Sequence, residues 1–173
     1  RVAAEEMAAR HALHIAIRNG PSHHVLGGLR ENVDRAFDAA EAVSADPRLL
    51  PVEVASHTPL MADAVGSFRY ALRSVQVSRP KFTVLAGINA SIVRTSDEVT
   101  DTLSRQLAMT LEWQRCLEIA VERGVTCFLE LGPGRALSRI AAELFPEIPA
   151  HAAEEFRSVE GIARWVNRRV DAA

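Results

Sequence analysis

Along this chain the spacing of apolar and polar residues changes several times, and each change marks a new element. From Val2 to about Ala12 the sequence is rich in Ala, Glu and Arg without Gly or Pro, which favours a helix. The period then drops to two: Leu13, Ile15 and Ile17 alternate with His14, Ala16 and Arg18 ahead of Asn19-Gly20-Pro21-Ser22, and Val25-Leu26 precede Gly27-Gly28. Strand, turn and strand, a hairpin, is the expectation. A helix is predicted from about Leu29 to Val43, with Val33, Ala36, Phe37 and Ala40 on one face and Asp46-Pro47 ending it. Leu49 to Val54 reads as a further strand.

From Pro59 the pattern alternates between helix and strand. Helices are expected from Pro59 to about Val75, Ser96 to Leu107, Leu111 to Arg123 and Arg135 to Leu144, and strands at Phe82 to Leu85 and Val125 to Leu131. Gly132-Pro133-Gly134 turns the chain from the last strand into its helix. A final helix from about Val159 to Val170 places Ile162, Trp165 and Val166 on one face. Continuous apolar strands between helices predict an α/β sheet covered on both faces. The first fifty residues instead predict a small α+β layer, ferredoxin-like but for a first strand that would lie ahead of Arg1. The boundary between the two is expected near Glu53.

Composition narrows the class. With 173 residues, 48% hydrophobic and 24% charged, the chain can bury one core and reads as an ordered globular protein. A formal charge of −2 and the absence of a Lys/Arg stripe argue against a dedicated nucleic-acid binder. The longest apolar runs fall far short of the roughly 20 residues of a membrane helix, and no signal peptide is recognisable, so a cytoplasmic setting without a membrane partner is expected. Cys116 and Cys127 are expected to be free thiols. The chain opens on Arg1 within a helical pattern, which reads as a piece of something longer.

His57 is the sharpest chemical candidate. Val54-Ala55-Ser56-His57 carries a predicted strand to its end before Pro59 opens a helix, and α/β active sites are built at such ends. On the residues alone, a histidine that caps the helix or bonds within the loop is the commoner case. Ser56 is not its expected partner, because neighbouring side chains on an extended segment face opposite ways. His11, His14, His23 and His24 are close in sequence, but the helix-to-strand change and the strand alternation argue against their converging on one metal ion. Gly132-Pro133-Gly134 is read as a tight turn rather than a phosphate site, being far short of a nucleotide fingerprint.

Ser56-His57 with Leu60-Met61, then Arg105-Gln106-Leu107, then Trp113, then Glu130-Leu131-Gly132-Pro133-Gly134 with Leu137 form an ordered set. In order and spacing this set resembles the malonyl-CoA:acyl-carrier-protein transacylases and the acyltransferase domains of fatty-acid and polyketide synthases. Asn19 to Gly28 resembles the family's asparagine-containing hairpin. The resemblance implies the C-terminal part of an α/β-hydrolase-like acyltransferase domain (residues 54–173) joined to a ferredoxin-like α+β subdomain lacking its first strand (residues 1–53). It further implies a ping-pong transfer of malonyl from malonyl-CoA, as substrate, to the thiol of an acyl carrier protein, with no bound cofactor or metal. His57 would be general base and then general acid, oriented by the main-chain carbonyl at Gln106. Val54, Ser56 and Asn19 would lie at the substrate, Val54 to His57 standing where polyketide acyltransferases carry a four-residue specificity motif.

Nothing in the sequence matches the family's Gly-x-Ser-x-Gly elbow, so the serine must come from a missing N-terminal half or another chain. The malonyl-clamping arginine and both oxyanion donors, one in the elbow and one on an early loop, are expected there too. Met109-Thr110-Leu111 and Ala86-Gly87 depart from the family's usual residues and point to a divergent branch. The tail Glu155-Phe156-Arg157-Ser158 with Gly161 and Trp165 resembles the epsilon subunit of malonate decarboxylase. The rival from another class is a non-catalytic module that docks a carrier protein.

Overall fold

A computed structural model describes residues 2–43 and 45–170. The expected domain limits at Arg1 and Ala173 lie outside the described residues. The chain divides into two compact units, one running through Cys116 and the other from Leu117, so the boundary expected near Glu53 falls inside the first.

In the first unit α1 (Val2–Arg10) leads into an antiparallel hairpin of β1 (His14–Arg18) and β2 (His24–Gly27), and α2 (Arg30–Ala42) follows. The hairpin closes where the amides of Asn19 and Gly20 both donate to His23 O, at 3.0 and 3.1 Å. Ala8, Leu13, Ile15 and Ala36 are buried together with Met7, Leu26 and Val33 against them, so two helices cover the hairpin as the period-two and period-3.6 patterns require. Gly28 follows β2 at a place where a Cβ would stand 2.4 Å from Leu13 Cδ2. Register also separates the histidines: His14 pairs with Gly27 at one end of the ladder and His24 with Arg18 at the other.

The strand expected at Leu49 to Val54 does not form. The backbone bends at Pro51 and Val54, with Val52 N–H turned back onto Leu50 O (2.8 Å), and Leu49, Leu50, Val52 and Val54 are all more than half exposed. Apolar alternation supplies the side chains of a strand, whereas a ladder needs a neighbouring backbone, and among the described residues none lies alongside.

Beyond it a 3₁₀ turn (Pro59–Met61) opens α3 (Ala62–Arg73). Then come β3 (Val84–Leu85), antiparallel to β4 (Ile92–Val93), α4 (Ser96–Arg105) and α5 (Trp113–Glu122). Ala86, Ile88 and Val93 form a second buried cluster with Val99 and Leu111. The helix expected from Leu111 starts two residues later because Leu111 is held in a parallel bridge to Ile17 of β1. Leu111 N–H donates to Ala16 O (2.9 Å), and Glu112 N–H to Gly87 O (2.7 Å).

In the second unit β5 (Phe128–Glu130) and β6 (Ala150–Ala152) pair in parallel across α6 (Ala136–Leu144), and a 3₁₀ turn (Ala153–Glu155) precedes α7 (Val159–Val170). Ile140, Ala141, Ala152 and Trp165 are buried. The continuous strand expected from Val125 to Leu131 is limited to three residues by its three-residue partner, leaving Leu131 exposed. Among the described residues the expected hairpin forms its own two-stranded sheet, and where one α/β sheet was expected there are two separate pairs, β3 with β4 and β5 with β6. No helix among them is long and apolar enough to cross a membrane.

Glu155 ties this unit together. It accepts from His151 Nδ1 (2.6 Å) and from the Ala152 amide (3.2 Å), with Arg135 at 3.6 Å. The His151 hydrogen bond first, then the Ala152 amide, hold its carboxyl below the ordinary value of 4.5. A carboxyl depressed on folding contributes stability that is present above its unfolded pKa and lost as pH falls through its folded one. Thermal melts are therefore expected to fall as pH drops below the ordinary carboxylate range, with a shallower acid limb in Glu155→Gln. An unchanged acid limb in that variant would rule Glu155 out as a contributor.

Candidate active site

Residues 54–58 fold into a tight turn through local bonds. Ser56 N–H donates to Val54 O (2.8 Å), the hydroxyl of fully buried Thr58 to Ala55 O (2.7 Å), and Met61 N–H to Thr58 O (3.0 Å). His57 therefore sits on a turn, not at the end of a strand, and its φ of 63° lies in the left-handed region. That conformation costs a residue with a Cβ about 1 kcal/mol and persists only where the surroundings hold it. Two contacts hold it here. His57 N–H donates to Leu107 O at 2.8 Å, and ring Nδ1 lies 2.5 Å from Gln106 O.

The acceptor is available because of where α4 stops. Gln106 is the C-cap of α4, and the last carbonyls of a helix have no partner within it. They also form the negative end of the helix dipole. At its other end α4 is fixed by a capping box, with Glu98 N–H donating to Thr95 Oγ1 (3.2 Å) and Thr95 N–H to Glu98 Oε2 (3.0 Å). The segment after Gln106 is stitched to the hairpin: Thr110 Oγ1 donates to Ile15 O (2.6 Å), and Arg18 N–H to Leu111 O (2.8 Å).

A carbonyl oxygen can only accept, so Nδ1 carries the proton and the neutral ring presents its lone pair at Nε2. That is the tautomer of a general base. Once Nε2 takes a proton, Nδ1–H stays on the Gln106 carbonyl, which keeps the ring oriented as a carboxylate does in a Ser-His-Asp triad.

Of the remaining candidates, Val54 and Ser56 share the His57 turn and Asn19 lies in the hairpin. Ser56 is half-buried and donates its N–H to Val54 O; on a turn, strand alternation no longer governs where its hydroxyl lies. Val54 is exposed on the same turn. Asn19 is buried in the hairpin turn and shares no hydrogen bond with His57. Burial pushes the thiols of Cys116 and Cys127 up, so neither is a thiolate standing in for a serine.

The Gly132-Pro133-Gly134 turn already has anions of its own. Glu130 Oε2 accepts from Ser138 N–H (2.8 Å) and Ser138 Oγ (2.9 Å) in the first turn of α6, and Glu154 Oε2 from Gly134 N–H (3.3 Å). Burial alone would push the Glu130 carboxyl up, but these Ser138 bonds together with the Leu137 amide outweigh it and hold it below its ordinary range. Sequence reading missed this cap, and also Thr58 and Leu107 as supports of His57. Only the Thr58-Pro59 step, a cap residue followed by proline, hinted at the support.

No family model matches the chain. The malonyl CoA-acyl carrier protein transacylase of Escherichia coli K12 is 30% identical over 138 residues, 79% of this chain and 45% of that protein. A solved type II polyketide-synthase malonyl-transacylase, in complex with its acyl-carrier protein, is 31% identical, with a TM-score of 0.77 over 88% of this chain and 50% of that one. The malonyl-CoA:acyl carrier protein transacylase of Xanthomonas oryzae is 25% identical, with a TM-score of 0.85 over 97% of this chain and 54% of that one. The chain spans about half the length of the curated relatives it matches. Its fold is that of the C-terminal part of these acyltransferases, and sequence and structure together relate it to the malonyl-CoA:acyl-carrier-protein transacylases.

Proposed function

We propose that this chain is the C-terminal part of an acyltransferase that moves a malonyl group from CoA to the thiol of an acyl carrier protein, with His57 as its acid–base catalyst. The observation that carries the reading is the Nδ1 contact of His57 with the Gln106 carbonyl, which fixes the tautomer that a serine nucleophile requires. The serine is supplied by residues outside this sequence. As its Oγ attacks the thioester carbonyl, Nε2 takes the hydroxyl proton, and the collapsing intermediate expels CoA, whose sulfur receives that proton. In the second half the carrier thiol yields its proton to Nε2 and attacks the serine ester, and the proton returns to the serine. Val54 and Ser56, on the turn that carries His57, and Asn19 in the hairpin are proposed to face the acyl group. The division into subdomains 1–53 and 54–173, and a cytoplasmic setting, belong to the same reading.

The experiment is to incubate the chain with radiolabelled malonyl-CoA, alone and together with a complementary half that carries a Gly-His-Ser-x-Gly elbow. The expected result is no ester on the chain alone and transfer to the carrier protein by the pair. Label retained on the isolated chain would contradict the external nucleophile, and no transfer by the pair would remove the acyltransferase reading.

Within it, the tail residues Glu155-Phe156-Arg157-Ser158, Gly161 and Trp165 favour the malonate decarboxylase epsilon branch, whose carrier bears a CoA-derived prosthetic group. A fatty-acid or polyketide transacylase is the alternative. Comparing turnover on the two types of carrier protein distinguishes them.

A further inference from the structure

His57 and Gln106 stand at adjoining ends of two helices. The chain passes from His57 through the 3₁₀ turn into α3, while α4 ends at Gln106, so the ring-to-carbonyl contact depends on how α4 is registered against α3. A slip of one residue moves a helix by about 1.5 Å and turns it by about 100°. Either change takes a 2.5 Å contact out of hydrogen-bond range.

One side chain of α3 bonds to α4 at two points. Arg69 Nε donates to Ser104 Oγ (3.1 Å) and Arg69 Nη2 to Asp101 Oδ1 (2.7 Å), both on α4. Ser104 Oγ in turn donates to Asp101 O (3.0 Å), and Arg105 Nη1 holds the other carboxylate oxygen of Asp101 (3.1 Å). Ser104 is fully buried and lies two residues before Gln106. An ordinary surface pair such as Arg30 with Asp34 joins two positions of one helix and fixes nothing beyond it. The planar guanidinium of Arg69 instead bonds two different acceptors on a neighbouring helix, which sets both its slide and its rotation. Arg69 and Asp101 are each about two-fifths exposed, so the pair matters for geometry more than for energy.

We propose that Arg69 is a positioning residue: through Asp101 and Ser104 it holds α4 in the register that keeps the Gln106 carbonyl on His57 Nδ1. The consequence for rate rests on the acyltransferase reading, whereas the orientation of the ring does not.

The test is nitrogen-15 NMR of histidine-labelled chain, with the His57 signals assigned by their loss in His57→Ala. The wild-type chain is expected to hold one tautomer, with the proton on Nδ1 and slow to exchange. Arg69→Met should give a mixture of tautomers and speed exchange of that proton by about tenfold. Arg69→Lys and Ser104→Ala should fall between, and Arg30→Met should match the wild type. A wild-type tautomer in folded Arg69→Met overturns the proposal, as does a lysine variant no nearer the wild type than methionine. Should Arg69→Met fail to fold, Ser104→Ala decides, and a wild-type signal there overturns it. In the complemented protein, kcat is expected to fall about tenfold in Arg69→Met with KM for malonyl-CoA unchanged. No transfer by any complemented protein would remove the functional reading and leave the tautomer result standing.

Discussion

Replacing His57 by alanine is expected to lower malonyl transfer by the complemented protein by about a thousandfold, the scale of a positioned general base. The substitution removes the group that takes and returns the nucleophile's proton, so both half-reactions slow, and added imidazole restores part of the rate. Gln106→Ala is the informative partner, because the bond to His57 comes from the Gln106 backbone carbonyl. It should leave turnover close to wild type. Wild-type turnover in His57→Ala would exclude His57 from the chemistry. A Gln106→Ala variant as inactive as His57→Ala would show that the side chain, not the carbonyl, acts. The measurement is steady-state transfer from malonyl-CoA to the carrier protein, with far-UV circular dichroism to establish that each variant is folded.

Trp165→Ala carries the largest expected loss of stability, about 3 kcal/mol or more. Trp165 is only 8% exposed and fills the contact face of α7. Its ring centroid lies 5.2 Å from that of His151, edge to face, and 5.7 Å from that of Phe156. Truncation leaves a cavity lined by residues that stand on β6 and at the end of the following 3₁₀ turn. Denaturant unfolding should show the loss, and amide exchange should show it first in α7. Trp165→Phe, which keeps a ring in the space, is expected to recover most of it. A change below about 1 kcal/mol would mean that α7 is not held by this contact.

How much of this was legible in advance depends on which interactions are local. Helices α2, α3, α4 and α7 lie where the 3.6-residue period puts them, to within a few residues, because a helix satisfies its own backbone four residues away. The hairpin is equally legible, since Asn19-Gly20 closes a turn between two period-two runs. The three-residue spacing of Thr95 and Glu98 marks the start of α4. Strands depend on what lies beside them. Leu49 to Val54 has the pattern of a strand and finds no neighbour, whereas Ala150–Ala152, too short and weakly apolar to stand out, becomes one because β5 runs alongside.

The site divides in the same way. Sequence by itself determined that a histidine stands at a cap-like step before Pro59, and the ordered motifs around it, more than its own position, singled it out. That no serine elbow accompanies it is also a property of the sequence. Only the tertiary structure decided that His57 sits on a left-handed turn and that its ring is aimed by a carbonyl 49 residues away. The same holds for Arg69, which bridges two helices from 35 residues away, and for Glu130, which fills the first turn of α6. The His57 and Arg69 contacts join groups 49 and 35 residues apart, and the Glu130 contact reaches eight residues, across a turn. Residue identity says what a group can bond to, and packing alone says which partner it meets.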